Sequence, residues 1–196
     1  NYKHTFKKPN QELTAYVSYS GNKGLSNSDY HTQYNKPGLD TLLNPGWQQN
    51  TGDNRNRFWN LQSDYTTPLG KKGKLEAGVK STMRHISNDY TASLFNNDLD
   101  IFEKSDRLSN KYDYEEDIYA GYLNFANAIG NLGYQVGVRA EQSYLKGYSF
   151  TRDTTVDNRF FNLFPSVVLK YNMPKNQNQS LVFNYSTRID RPNFDQ

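Results

Sequence analysis

Apolar and polar residues alternate along most of the chain, and this alternation predicts β-strands. In the segment 13–19, Leu13, Ala15 and Val17 share one parity, and polar side chains lie between them. A period of two puts successive side chains on opposite faces of a strand, so each strand has an apolar and a polar face. The same alternation recurs in the segments 59–66, 75–84, 134–141, 161–171 and 181–190.

Two further segments complete the predicted set. Residues 114–127 form a strand that is apolar on both parities, so the pattern does not orient its faces. Residues 1–8 look like the end of another strand. No helix is predicted, because apolar spacings of three and four are not sustained. The prediction is therefore seven strands and one truncated strand, with a bulge or bend at Pro165, which lacks a backbone donor.

Short and long connections take turns along the chain. Short segments rich in Gly, Pro, Asn and Lys, as hairpin turns are, occur at 7–10, 68–73, 129–133 and 173–178. Between them we predict long loops at 21–56, 87–113 and 147–158. Every second connection of a meander lies at the same end. The chain is therefore predicted to be all-β, an antiparallel up-and-down meander with short turns on one rim and long loops on the other.

This layout is typical of an outer-membrane β-barrel. We expect the apolar face to contact lipid and the polar face to line a wet lumen. The charges expected in the lumen are Glu76, Lys80, Arg139, Glu141, Arg188 and Asp190. The same charges also fit the solvated face of a soluble sheet that packs on a second layer, so a β-sandwich binding module remains an alternative.

Composition narrows the classes of function. The longest apolar run is three residues, which rules out a transmembrane helix of about 18 apolar residues. The net charge of +3 is dispersed over the chain, so no nucleic-acid partner is expected. Cysteine is absent. The chain starts with Asn1 and closes without a packed terminal strand, and we expect it to be a piece of a larger barrel.

No catalytic, cofactor or metal site is predicted, and we expect no enzyme activity. The three histidines lack the spacing of a zinc site, and no G-x-S-x-G motif is present. The first long loop holds Tyr30, Tyr34 and Trp47 among polar residues. Aromatic rings in polar loops can stack on sugars or apolar ligands, so these three are candidates for contact with an extracellular small ligand. Alternatively, they hold the loop to itself.

Four short motifs in the second half of the chain stand in a fixed order. They are Y-A-x-Y-L at 119–123, G-x-R-x-E at 137–141, F-x-L-F-P-S at 161–166 and R-I-x-R-P-x-F at 188–194. Together they resemble the barrel domain of TonB-dependent-receptor-like outer-membrane proteins that carry a carboxypeptidase-regulatory-like domain. The resemblance implies a barrel of about 22 strands with a plug domain in its lumen. This chain would supply roughly a third of those strands and no plug.

The resemblance also implies a function. Such a receptor takes up a nutrient across the outer membrane of a Gram-negative bacterium, energised by a TonB-type complex. The chain would form part of the pore wall and the extracellular loops that capture the ligand. A structural or adhesive outer-membrane barrel, whose loops bind a surface partner without transport, is the alternative within the same fold.

Overall fold

The computed structural model describes residues 1–34, 43–174 and 179–189, which form one antiparallel sheet of nine strands. The predicted meander is confirmed. The strands are β1 Tyr2–Thr5, β2 Glu12–Tyr34, β3 Leu43–Leu69, β4 Gly73–Asn96, β5 Ile101–Lys104, β6 Asn110–Ile129, β7 Leu132–Ser149, β8 Thr154–Asn172 and β9 Ser180–Ser186. They lie in chain order, except that the short β5 pairs only with β4.

The register between strands keeps the apolar parities together on one face. Tyr19 pairs with Trp59, and Trp59 pairs with Met83. Further along the sheet Leu123 pairs with Val138. A slip of one residue between two paired strands would move the apolar residues of one strand to the other face. The alignment of the apolar residues therefore fixes the register of each strand pair. We call the side that carries these residues the apolar face and the opposite side the polar face.

The register also orients β6, whose sequence is apolar on both parities. Phe125, Leu123 and Tyr119 join the apolar face, since they pair with Leu75, Ala77 and Ser81 of β4. Tyr122 and Ala120 therefore lie on the polar face. The period of β6 alone could not decide this, but the neighbouring strands do.

The long-loop prediction is wrong over most of its length. Strand β2 continues to Tyr34, and strand β3 begins at Leu43. The segment 21–56 is therefore largely a two-stranded hairpin. The segment 87–113 contains the end of β4, all of β5 and the start of β6, and only residues 150–153 connect β7 to β8. We call the end of the sheet that carries these extended hairpins the hairpin end, and the opposite end, with the short connections, the turn end.

The hairpins extend because each added antiparallel pair satisfies backbone groups beside pairs that are already ordered. Away from the apolar band both faces of the sheet meet water. Most side chains there are polar on both parities, and no sustained period of two appears in the sequence. The backbone is nevertheless the same ladder that begins at the turn end.

Glycine and proline take places that the ladder tolerates. Gly70 and Gly130 adopt φ of 65° and 58° in the turns after β3 and β6, a region that glycine enters without strain. The register passes Pro165 opposite Val138 without the predicted bulge. Pairing between β8 and β9 begins at the next residue, Ser166, so Pro165 lies where β8 is an edge on that side.

The described residues form a single layer, which excludes a sandwich within them. Val79 is 61% exposed and Phe161 63% exposed on the apolar face. That face runs on β3 from Trp59 to Leu69, about 33 Å along the strand and roughly 25 Å across a bilayer at a tilt of about 40°. On the polar face Ala120 and Ser143 are buried, the pattern of a sheet curled around that face.

Candidate functional site

A hydrogen-bonded cluster on the polar face joins β3 to β6 across the intervening strand β4. The Tyr122 hydroxyl of β6 donates to Asp64 Oδ1 of β3, reaching across β4. Gln62 Nε2 donates to the other carboxylate oxygen of Asp64 at 2.8 Å. The crossing is open because residue 78 of β4 is glycine. A Cβ at Gly78 would lie 2.5 Å from a Tyr122 ring carbon and 2.6 Å from Asp64 Oδ1.

A second mid-strand glycine marks another close approach on the same face. A Cβ at Gly137 of β7 would overlap Asn124 Oδ1 and lie 2.7 Å from Ser166 Oγ. Glycine inside a strand often marks a place where another group comes close. The positions of Gly78 and Gly137 were therefore the sequence signal for these contacts, which the alternation of apolar residues does not reveal.

Charged residues of the polar face pair along their own strands. Arg139 Nε donates to Glu141 Oε1 at 2.7 Å, and the Glu141 side chain is only 13% exposed. Lys74 Nζ lies 2.6 Å from Glu76 Oε1. These pairs are between residues two apart, which face the same way on a strand.

Five of the six charges expected in the lumen surround one open cavity of about 830 Å³. These residues are Glu76, Lys80, Arg139, Glu141 and Arg188. Asp190 lies outside the described residues. Tyr122 and Gln62 of the hydrogen-bonded cluster line the same cavity. The polar face therefore presents charged and amide side chains around one cavity, and these can accept and donate hydrogen bonds.

The aromatic residues predicted to contact ligand do not form one site. Tyr30 is 53% exposed and pairs with Gln48, while Trp47 is 39% exposed and pairs with His31. By strand parity Tyr30 belongs to the polar face and Trp47 to the apolar-face side. The side chain of Tyr34 lies outside the described residues. A single stacking platform of all three, as a loop would allow, is not what the hairpin provides.

Trp47 instead belongs to a row of rings that crosses four strands at the hairpin end. Its ring centroid lies 4.5 Å from His31 and 5.3 Å from Phe95. Phe95 in turn lies 5.1 Å from Phe102. Cross-strand aromatic contacts of this kind stabilise a sheet. The sequence did not reveal this row, because its members come from segments far apart in the chain.

Ion pairs link the strands of the hairpin end on the apolar-face side, beyond the apolar band. Arg55 Nη2 lies 2.8 Å and Lys23 Nζ 3.7 Å from Asp53 Oδ2. The hydrogen bond from Arg55 lowers the pKa of Asp53 below its ordinary value of 3.8, assisted by both positive charges. Lys111 Nζ lies 2.9 Å from Asp89 Oδ2, and this hydrogen bond raises the pKa of Lys111.

Asp53, Arg55, Asp89 and Lys111 line an open polar cavity of about 470 Å³. In the part of the chain that the structure describes, no group of three or more His, Asp or Glu side chains could hold a metal ion. The same part contains no helix able to cross a membrane.

Family comparison agrees with the single curled sheet and its apolar band. Residues 4–196 match the model of the outer membrane protein beta-barrel family. The chain belongs to this family. It forms part of a transmembrane outer-membrane β-barrel, with its apolar face in lipid and its turn end and hairpin end on opposite sides of the membrane.

The fold is also similar to that of a solved transporter structure. The crystal structure of the ferric citrate transporter FecA in the unliganded form is similar over 84% of this chain and 26% of that chain, with a TM-score of 0.44 and 12% identity. The chain therefore spans about a quarter of the FecA chain. No curated protein matches the chain at a significant level.

Proposed function

We propose that this chain forms part of the pore wall of an outer-membrane import receptor of the TonB-dependent type. The observation that carries the proposal is the cavity on the polar face, lined by the ion pair Arg139–Glu141 and by Glu76, which pairs with Lys74 beside the cavity. A barrel wide enough for a solute path has a polar wall, whereas a small closed barrel fills its interior with side chains. The four ordered motifs of the second half support the receptor type.

In this proposal the charged polar face has two tasks. It keeps the pore wall hydrated, and it offers hydrogen-bond partners to a plug domain that closes the barrel. Pairs such as Arg139–Glu141 already satisfy each other, so plug release does not leave a buried charge unpaired. The hairpin end lies on the extracellular side, since the short turns of such barrels are periplasmic. Its extended hairpins would capture a small nutrient before import, with energy supplied by a TonB-type complex.

The proposal is tested by energised uptake in the source bacterium. Cells with and without the full-length gene are grown in a defined medium, and the depletion of each solute is followed by mass spectrometry with and without a protonophore. We expect at least one solute to be taken up only with the gene and only without the protonophore. Equal depletion in all four conditions would refute import.

The second candidate is an adhesive barrel, and the aromatic row favours it. Trp47, Phe95 and Phe102 lie on the apolar-face side of the hairpin end, which points away from the pore. A ligand bound there would not enter the lumen. If Trp47→Ala abolishes attachment of cells to a surface partner while solute depletion never depends on the gene, adhesion replaces import as the function.

A further inference from the structure

Lysine is concentrated in two adjacent turns at the turn end. The only two Lys-Lys pairs of the chain are Lys7-Lys8 and Lys71-Lys72, and all four side chains are exposed. We infer that these four lysines form a docking surface for the phosphate headgroups of anionic phospholipids in the leaflet that meets the turn end. This inference needs only the membrane barrel, not the proposed import.

The fold brings the two pairs to the same stretch of rim. Strands β1, β2, β3 and β4 are consecutive in the sheet, so the turn after β1 and the turn after β3 lie side by side. Lys8 Nζ donates to the backbone carbonyl of Pro68 at 2.5 Å, although the two residues are 60 positions apart. The lysines of both turns therefore act on one region of the membrane surface.

The four lysines lie just beyond the apolar band, at the depth of the lipid headgroups. Leu69, the last residue of β3, is 41% exposed, and Lys71 follows two positions later. A lysine at this boundary can keep its methylene stem along apolar surface and place its ammonium among phosphates. The ammonium is a compact charge that binds phosphate.

The charges at this rim are not neutralised by the protein. Lys7, Lys71 and Lys72 make no ion pair with any residue that the structure describes, and neither turn contains Asp or Glu. At the hairpin end, by contrast, Lys23, Lys104 and Lys111 all have a carboxylate within 4 Å. The excess of positive charge is therefore local and does not follow from the net charge of the chain.

A lipid surface fits these features better than an acidic protein does. The lysines lie in separate short turns directly beside the apolar band, so a partner must contact both the rim and the edge of the membrane. Each lysine near an anionic membrane surface strengthens binding by about fivefold. The turn after β6, Gly130-Asn131, has no charge, and the segment 173–178 after β8 has a single lysine, Lys175. The two Lys-Lys pairs therefore concentrate the attraction on the β1–β4 side of the rim.

The test uses the full-length protein in nanodiscs of equal parts phosphatidylglycerol and phosphatidylcholine. Native mass spectrometry then gives the ratio of the two lipids that remain bound. The variant is Lys7→Gln, Lys8→Gln, Lys71→Gln and Lys72→Gln together. The matched control replaces Lys23, Lys104, Lys111 and Lys146 by Gln, which removes the same charge from the hairpin end. Circular dichroism and heat-modifiable gel mobility report whether each protein is folded.

We expect the wild type and the hairpin-end control to retain phosphatidylglycerol at least tenfold over phosphatidylcholine. The turn-end variant should retain the two lipids nearly equally. If it does not fold, Lys7→Gln/Lys8→Gln and Lys71→Gln/Lys72→Gln are measured separately, and each should lower the ratio several-fold.

Three results overturn the inference. The first is a wild type without lipid preference, and the second is an equal loss of preference in both fourfold variants. The third is binding of polyglutamate through the same lysines without any preference between the lipids, which would assign the surface to an acidic protein.

Discussion

The Tyr122–Asp64 contact makes Gly78→Ala the most informative single substitution. The new Cβ would lie 2.5 Å from the Tyr122 ring and 2.6 Å from Asp64 Oδ1, so the tyrosine must move and its hydrogen bond to the carboxylate is lost. A hydrogen bond to a charged group contributes about 1.5–3 kcal/mol, and a crowded site costs about 1–3 kcal/mol more. Alanine regains about 0.5–1 kcal/mol over glycine in a strand. We expect a net loss of about 2–5 kcal/mol.

Gly121→Ala is the matched control, because Gly121 lies in the adjacent strand on the opposite face. A Cβ there would meet only the backbone oxygen of Gly78, at 4.0 Å. No contact is broken, and its free energy of unfolding should stay within about 0.5 kcal/mol of wild type or rise slightly. The two substitutions make the same chemical change, so only the local space differs.

The assay is urea unfolding of the full-length protein in lipid vesicles, followed by tryptophan fluorescence, with ΔG from linear extrapolation. Tyr122→Phe removes the hydroxyl alone and should cost about 1.5 kcal/mol. The double variant Gly78→Ala/Tyr122→Phe should lose less free energy of unfolding than the two single variants together, since both substitutions remove the same hydrogen bond. Equal stability of the Gly78→Ala and Gly121→Ala proteins would refute the reasoning.

Three further predictions concern the two faces and the hairpin end. Leu163→Lys on the apolar face should lower the free energy of unfolding in vesicles by about 2–4 kcal/mol. Asn162→Lys on the polar face should change it by less than about 1 kcal/mol. Equal losses in the two variants would contradict the assignment of faces. By NMR the carboxyl of Asp53 should titrate below pH 3.8, and Arg55→Gln should move the midpoint up towards 3.8. The lowered pKa means that the ion pair stabilises the hairpin above that pH and is lost as the pH falls, so a wild-type midpoint at or above 3.8 would argue against it. Trp47→Ala removes ring contacts that stabilise the β2–β3 hairpin by about 1–3 kcal/mol, so amide exchange should become faster in that hairpin. Exchange in the apolar band should not change. Faster exchange in both regions would show that the row does not act locally.

On the polar face, the alternation in the sequence predicts which residues share a face but not which residues pair. The sequence placed Arg139 and Glu141 on one face, because residues two apart in a strand face the same way. It left open whether they pair with each other or across strands. The structure shows a 2.7 Å pair along β7 itself. The Tyr122–Asp64 bond was not predictable by parity, since it depends on which strand lies between β3 and β6 and on a glycine at the crossing.

The hairpin end shows where parity fails. The segment 21–34 is strand, yet it has no alternation, because both of its faces lie in water and neither selects for apolar side chains. The same reasoning explains why Tyr30 and Trp47, expected in one loop, lie on opposite faces of a hairpin. Strand formation there follows from backbone pairing that continues from the membrane ladder, which a window of sequence does not contain.

The sequence by itself determined the fold class, the apolar face of six strands and the charges that share the polar face. Those are local properties, since lipid on one side and water on the other impose a period of two on each strand separately. Only the tertiary structure decided the orientation of β6, the length of the hairpins, the cluster over Gly78 and the meeting of the two lysine pairs at one rim. Each of these depends on which strands are neighbours and in what register, and register is a property of pairs of strands that no single strand encodes.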